Sequence, residues 1–221
     1  MQKTYFQTKT SIEDYLQAIY QPEDSVLAGV RASSQASGLP EIQVGELDGL
    51  LLTVLAHALK PKKIVEIGTL GGYSGICLAR ALPQDGKLYT FEVNPRNAEV
   101  AKKSFKDAGL EQKVEVFVGP AKDNLAKIES LGPFDLVFLD ADKKGYVGYL
   151  DWADKNLKMG GVVLADNTFA WGLIDSETVD PTDEESVYAL RRFNDALARN
   201  KNFKSTILPT GEGLSLAVKV K

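Results

Sequence analysis

The chain has 221 residues, enough for one compact domain with a sizeable core. Its 26 basic and 30 acidic side chains leave a net charge of -4, which argues against an extended basic surface for nucleic acid while leaving room for a local patch. A single cysteine, Cys77, excludes an intramolecular disulfide framework and points to a reducing compartment.

The first fifteen residues lack the apolar core of a signal peptide, and no apolar stretch is long enough to span a bilayer. A cytoplasmic location is the expectation. Ser11 to Tyr20 opens with Ser-Ile-Glu-Asp, a cap followed by acids, and predicts a helix. Asp24 to Ala36 predicts a second, stopped by Ser37-Gly38-Leu39-Pro40. Gly45 to Leu59 reads as a third, strongly apolar helix ended by Lys60-Pro61.

The pattern then switches. Strand-like runs at Lys63–Ile67, Lys87–Glu92, Val114–Val118, Phe134–Asp140 and Gly161–Ala165 alternate with helical stretches. Those stretches are Tyr73–Leu82, Pro95–Ala108, Ala121–Ser130 and Tyr146–Leu157. Such alternation implies right-handed crossovers and a parallel sheet covered on both faces. The end differs: a long helix at Glu184–Asn200 precedes strands at Phe203–Leu208 and Leu214–Val220. Their short connection, Pro209 to Gly213, demands an antiparallel pair. The sum is one α/β domain over residues 1–221. Residues 1–60 form an N-terminal helical segment, and residues 61–221 a Rossmann-like core. Its mostly parallel, seven-stranded sheet closes with a C-terminal antiparallel hairpin.

Val65-Glu66-Ile67-Gly68-Thr69-Leu70-Gly71-Gly72-Tyr73-Ser74 is the first chemical signal. Glycines at the carboxyl end of the first strand let the backbone approach a ligand, at the place where open α/β sheets bind them. The dinucleotide fingerprint G-x-G-x-x-G is absent, so a nucleoside amino acid fits better than a pyrophosphate. Glu92 ends the second strand, where an acid accepts hydrogen bonds from both hydroxyls of a ribose. Gly119-Pro120-Ala121 ends the third strand and flanks an adenine by the same rule.

The second signal is Leu136-Val137-Phe138-Leu139-Asp140-Ala141-Asp142-Lys143-Lys144, an apolar strand running into two acids and two lysines. Val162-Val163-Leu164-Ala165-Asp166-Asn167 repeats the arrangement. If the two strands are neighbours, Asp140, Asp166 and Asn167 converge at one sheet edge. Two carboxylates and an amide suit a hard cation. Asp140 and Asp142 alternate, but the chain turns there, so they can serve different partners.

These segments resemble the class I, cation-dependent O-methyltransferases, which include the caffeoyl-CoA and catechol O-methyltransferases. The resemblance runs from about Ser11 to the C-terminus, and a C-terminal hairpin is the element order expected of Rossmann-like methyltransferases. It implies S-adenosylmethionine as methyl donor, contacted by Val44, Glu66, Gly68, Thr69, Ser74, Glu92, Ala121 and Asp142. It implies a divalent cation on Asp140, Asp166 and Asn167, Mg²⁺ first with Mn²⁺ or Ca²⁺ as alternatives, and Lys143 as general base. The implied acceptor is a small phenolic molecule with vicinal hydroxyls, and the implied assembly a homodimer. An alternative within the family is methylation of a hydroxylated uridine in transfer RNA. A nicotinamide oxidoreductase is disfavoured by the missing fingerprint. The plant relatives touch substrate just after the Asp-Asn motif, but Phe169-Ala170-Trp171-Gly172 here departs from their pattern. Of the remaining residues, His57, Cys77, Tyr146 and Tyr149 read as packing, and Trp171 as either a stacking platform or a gap filler.

Overall fold

The computed structural model describes residues 10–221, which fall into two compact units, 10–125 and 126–221. The first contains α1 (Thr10–Tyr20), α2 (Ser25–Ala36), α3 (Glu46–Leu59), β1 (Lys63–Ile67), α4 (Tyr73–Ala79), β2 (Lys87–Glu92), α5 (Pro95–Asp107), β3 (Val114–Val118) and α6 (Ala121–Asn124). The second contains β4 (Phe134–Leu139), α7 (Tyr146–Asn156), β5 (Leu157–Ala165), α8 (Pro181–Arg199), β6 (Phe203–Leu208) and β7 (Leu214–Lys219).

In the first unit the strands lie parallel in the order β3-β2-β1. β1 and β2 are buried from their second residue onward, as strands covered on both faces must be. β3 ends the order and is half-exposed or exposed at every position. α2 packs on α4 and α5, and α3 on α4. The cap expected at Ser11 involves a side chain outside the described residues. Asp24 caps α2 by accepting from the backbone of Val26 and Leu27. Lys60 stops α3 in the left-handed conformation, just before Pro61.

In the second unit β4 and β5 are parallel, β7 runs antiparallel to β5, and β6 antiparallel to β7, giving β4-β5-β7-β6. The two orders account for the seven strands, mostly parallel with a C-terminal antiparallel hairpin, that the element order predicts. No helix among the described residues is long and apolar enough to cross a membrane.

Several boundaries move. α4 stops at Ala79, and residues 81 and 82 tighten into three-residue turns ahead of Pro83. The helix expected over Ala121–Ser130 is α only to Asn124 and then a 3-10 helix, Leu125–Leu131. The Asn124 amide donates to the carbonyls of Val118 and Pro120, offering the backbone a competing partner at that point. β5 begins four residues early, because Gly160 at φ +75° forms an irregularity instead of a break, and Leu157 still pairs with Phe134. α8 begins three residues early, where Asp180 caps Thr182 and Pro181 occupies the first helical turn.

Candidate functional site

In the first unit, β1 delivers the chain to a tight glycine turn. Gly68 adopts φ +104° and donates from its backbone to Phe91 at 3.0 Å. A side chain at Gly71 would place its Cβ 2.2 Å from Ser34 Oγ on α2, so any residue other than glycine forces that hydroxyl to shift. Beneath the turn, Glu66 is fully buried (0% exposed). Its carboxylate accepts from Ser74 Oγ at 2.7 Å and from Thr90 Oγ1 at 2.6 Å. Thr69 Oγ1 shares a hydrogen with Thr90 Oγ1 at 2.5 Å. Glu66, Thr69 and Ser74 therefore bind one another's strand and helix, and Glu66 braces the turn from below.

Glu92 closes β2 and is buried. Its Oε2 accepts from the Leu70 backbone at 2.8 Å and its Oε1 from that of Asn94 at 2.9 Å. Asn97 Nδ2 also donates to Oε1, at 3.4 Å. A carboxylate has about four acceptor positions, so Glu92 retains capacity for one ribose hydroxyl, and for a second where that hydroxyl replaces the long Asn97 contact. Its own carbonyl accepts from Gly119 at 2.8 Å, and buried Ala121 begins α6 two residues on.

Val44, also buried, is tied down by a cluster that the sequence reading missed. Arg31 donates through Nη2 to the Val44 carbonyl at 3.0 Å and through Nε to Glu23 Oε1 at 2.5 Å. Tyr73, the first residue of α4, donates to the same Glu23 oxygen at 2.9 Å, and the guanidinium lies 4.3 Å from its ring centroid. Burial, foremost, raises the Tyr73 phenol well above its ordinary value, which keeps it a hydrogen-bond donor. Arg31, the one charged residue within α2, was the available signal.

In the second unit, Leu139 pairs with Ala165 at the carboxyl ends of β4 and β5, and the Asp166 backbone donates to Leu139 at 2.9 Å. Asp140 and Asp166-Asn167 therefore leave neighbouring strand ends side by side. Asn167 takes the left-handed conformation, φ +58°, and donates from its backbone to Asp166 Oδ1 at 2.8 Å. The Lys143 side chain, only 9% exposed, reaches into this group. Its Nζ donates to Asn167 Oδ1 at 2.5 Å, to Tyr146 Oη at 2.8 Å and to Asp140 Oδ1 at 3.2 Å.

Tyr146 is not mere packing. Its ring is fully buried edge-on against Phe193, and its hydroxyl lies 3.2 Å from the carbonyls of both Leu139 and Asp166. Burial first, then the charges of Asp140 and Asp166, hold this phenol well above its usual value, so it stays neutral. The three-residue spacing from Lys143 was the signal that could have found it. Asp142 goes elsewhere and accepts from Tyr149 Oη at 2.7 Å. The two acids of the Asp-Ala-Asp stretch do serve different partners.

The donor set fits a hard divalent cation. Oxygens of Asp140 and Asn167 already meet at one positively charged atom, Lys143 Nζ, with the Asp166 carboxylate on the same strand end. Among the described residues no three acids, histidines or cysteines gather as a metal cage; the set here is two carboxylates and an amide. Trp171 stands 47% exposed at φ +55°, His57 is exposed, and Cys77 is buried as a core residue.

The sequence profile of the O-methyltransferase family matches residues 17–220. A catechol O-methyltransferase of Niastella koreensis is 37% identical over 216 residues, covering 94% of this chain and 96% of that protein. A second catechol O-methyltransferase, from Mycobacterium tuberculosis, is 38% identical over 199 residues, covering 90% and 88%. The crystal structure of an O-methyltransferase from Bacillus cereus in complex with SAH (S-adenosylhomocysteine) superposes with a TM-score of 0.87 at 35% identity, covering 95% of this chain and 97% of that one.

Proposed function

Given that the chain belongs to the class I, cation-dependent O-methyltransferase family, we propose that it methylates one hydroxyl of a vicinal diphenol, using S-adenosylmethionine and a divalent cation, with Mg²⁺ first in order. The observation that carries this reading is the meeting of the Asp140 and Asn167 oxygens at Lys143 Nζ, beside the Asp166 carboxylate. The catechol enzymes at 37% and 38% identity support the choice of acceptor.

When bound, S-adenosylmethionine supplies an electrophilic methyl group, and the divalent cation supplies charge that acidifies and orients a hydroxyl. The residues of this chain do the rest. Glu92 holds the ribose through its remaining acceptor capacity, and the turn at Gly68 and Gly71 brings the backbone close to the donor. Val44, fixed by Arg31, and Ala121 flank the donor. Asp140, Asp166 and Asn167 hold the cation. Lys143, with Nζ anchored on Tyr146 Oη, acts as the neutral amine: its ammonium first gives a proton to water, and the amine then takes the proton of the acceptor hydroxyl. Holding the reacting groups in place supplies much of the remaining acceleration.

The same reading carries a homodimer, supported by the exposed Tyr15, Ile19 and Tyr20 of α1 and Val54 of α3, and a cytoplasmic location. The test is turnover of catechol and caffeate with labelled S-adenosylmethionine and Mg²⁺, with and without EDTA. Methylation that EDTA abolishes is expected. Full turnover in chelator overturns the role of the cation, and label passing only to bulk transfer RNA overturns the acceptor class.

A further inference from the structure

We propose that Lys143 is a built-in counter-cation of the acidic cluster: its ammonium sits on the oxygens a divalent metal needs, and metal loading displaces it onto Tyr146. The inference rests on the cation reading above and concerns what holds the cluster together before the metal arrives.

An ammonium has three N–H donors. Lys143 Nζ has three oxygen partners within reach: Asn167 Oδ1 at 2.5 Å, Tyr146 Oη at 2.8 Å and Asp140 Oδ1 at 3.2 Å. Every donor is matched, and the side chain is nearly sequestered from water. The charge this balances is substantial. Half-buried Asp140 and buried Asp166 leave neighbouring strand ends, and carboxylates largely removed from water are stabilised by a positive charge nearby. Lys143 is the ion-pair partner of Asp140.

A divalent metal would bind Asp140 and Asn167 at about 2.0–2.6 Å through the same two oxygens. Two cations cannot share them without strong repulsion, so Nζ must leave as the metal enters. Tyr146 provides the retreat. Its ring is packed against Phe193 and its hydroxyl rests between the carbonyls of Leu139 and Asp166, so it stays in place whether or not the lysine leans on the ligands. Two of the three lysine contacts are thus lost to the metal and the third persists. Lys143 lies on a short 3-10 turn, Lys143–Gly145, with a flexible four-carbon stem that permits a small swing without moving the backbone.

The test is Mn²⁺ binding to the EDTA-stripped and desalted full-length protein, measured by calorimetry and by loss of the free-ion EPR signal. Lys143→Met keeps the stem and removes the charge. It is expected to bind Mn²⁺ on the order of tenfold more tightly than the wild type. Tyr146→Phe removes the retreat and is expected to weaken binding in the wild-type background but not in Lys143→Met. A merely structural role for Tyr146 would weaken both. Equal or weaker binding by a folded Lys143→Met overturns this inference alone. No Mn²⁺ binding by either protein removes the cation reading, and this inference with it. A version without substitutions follows the Lys143 Nζ and Asn167 side-chain amide signals by NMR as Mg²⁺ is added. Both are expected to shift with one midpoint, and an unmoved Nζ in the loaded protein overturns the displacement.

Discussion

Ser74 Oγ donates to the Glu66 carboxylate at 2.7 Å, joining the first turn of α4 to the inside of β1, where the acid has no exposure to solvent. Thr90 of β2 approaches the other carboxylate oxygen at 2.6 Å. A buried carboxyl that accepts from two hydroxyls is costly to remove, because Ser74 Oγ then loses its acceptor and Thr90 Oγ1 is left with Thr69 Oγ1 alone. Glu66→Ala should lower unfolding free energy by about 2–4 kcal/mol, and Glu66→Gln, which keeps the volume and one acceptor, by about half as much. Urea denaturation measures both. Equal losses for the two variants would sink the hydrogen-bond account.

Gly71→Ala tests the close approach of the turn to α2. Its Cβ would meet Ser34 Oγ at 2.2 Å, whereas Ser34 Cβ lies at an ordinary 3.4 Å. Overpacking of this kind costs about 1–3 kcal/mol. Ser34→Ala removes the offending oxygen, so the double variant should recover most of the stability. A double variant as unstable as Gly71→Ala would place the strain elsewhere.

Cys77 makes the protein sensitive to alkali. Burial, the largest cause, pushes its thiol up to about 12. An unfolded thiol titrates near 8.5, so the native state holds its proton longer than the unfolded chain. The contribution is complete below that unfolded value and is lost as pH rises toward about 12, at a slope of at most about 1.4 kcal/mol per pH unit. Cys77→Ala should flatten this alkaline limb in thermal melts taken from pH 8 to pH 11. Tyr73 and Tyr149, also raised chiefly by burial, keep part of the slope near its upper end. Parallel curves for variant and wild type would exclude Cys77 as a source.

Lys143→Ala should lower kcat by about 100- to 10,000-fold, the usual worth of a general base, while leaving S-adenosylhomocysteine binding nearly intact. Steady-state kinetics and calorimetry separate the two effects. Unchanged turnover would remove Lys143 from the chemistry.

Much of the candidate site was legible because its residues sit where strands end. Apolar runs closing in Gly68, Glu92, Asp140 and Asp166 announce both the strand and its carboxyl terminus, and α/β sheets present ligand groups there. Arg31 and Tyr146 were not legible as functional. Arg31 reaches Val44 thirteen positions along, and Tyr146 meets backbone carbonyls of two strands, so their partners exist only after folding.

The helix-strand alternation, the antiparallel ending and the positions of the acids follow from periodicity, glycines and short connections, which act locally and are written along the chain. The shortened helix at Ala121, the early start of β5 and the partners of Glu66, Asp142 and Lys143 were decided by the tertiary structure. A buried polar group must be satisfied by whatever folding brings beside it, and no local pattern specifies which group that will be.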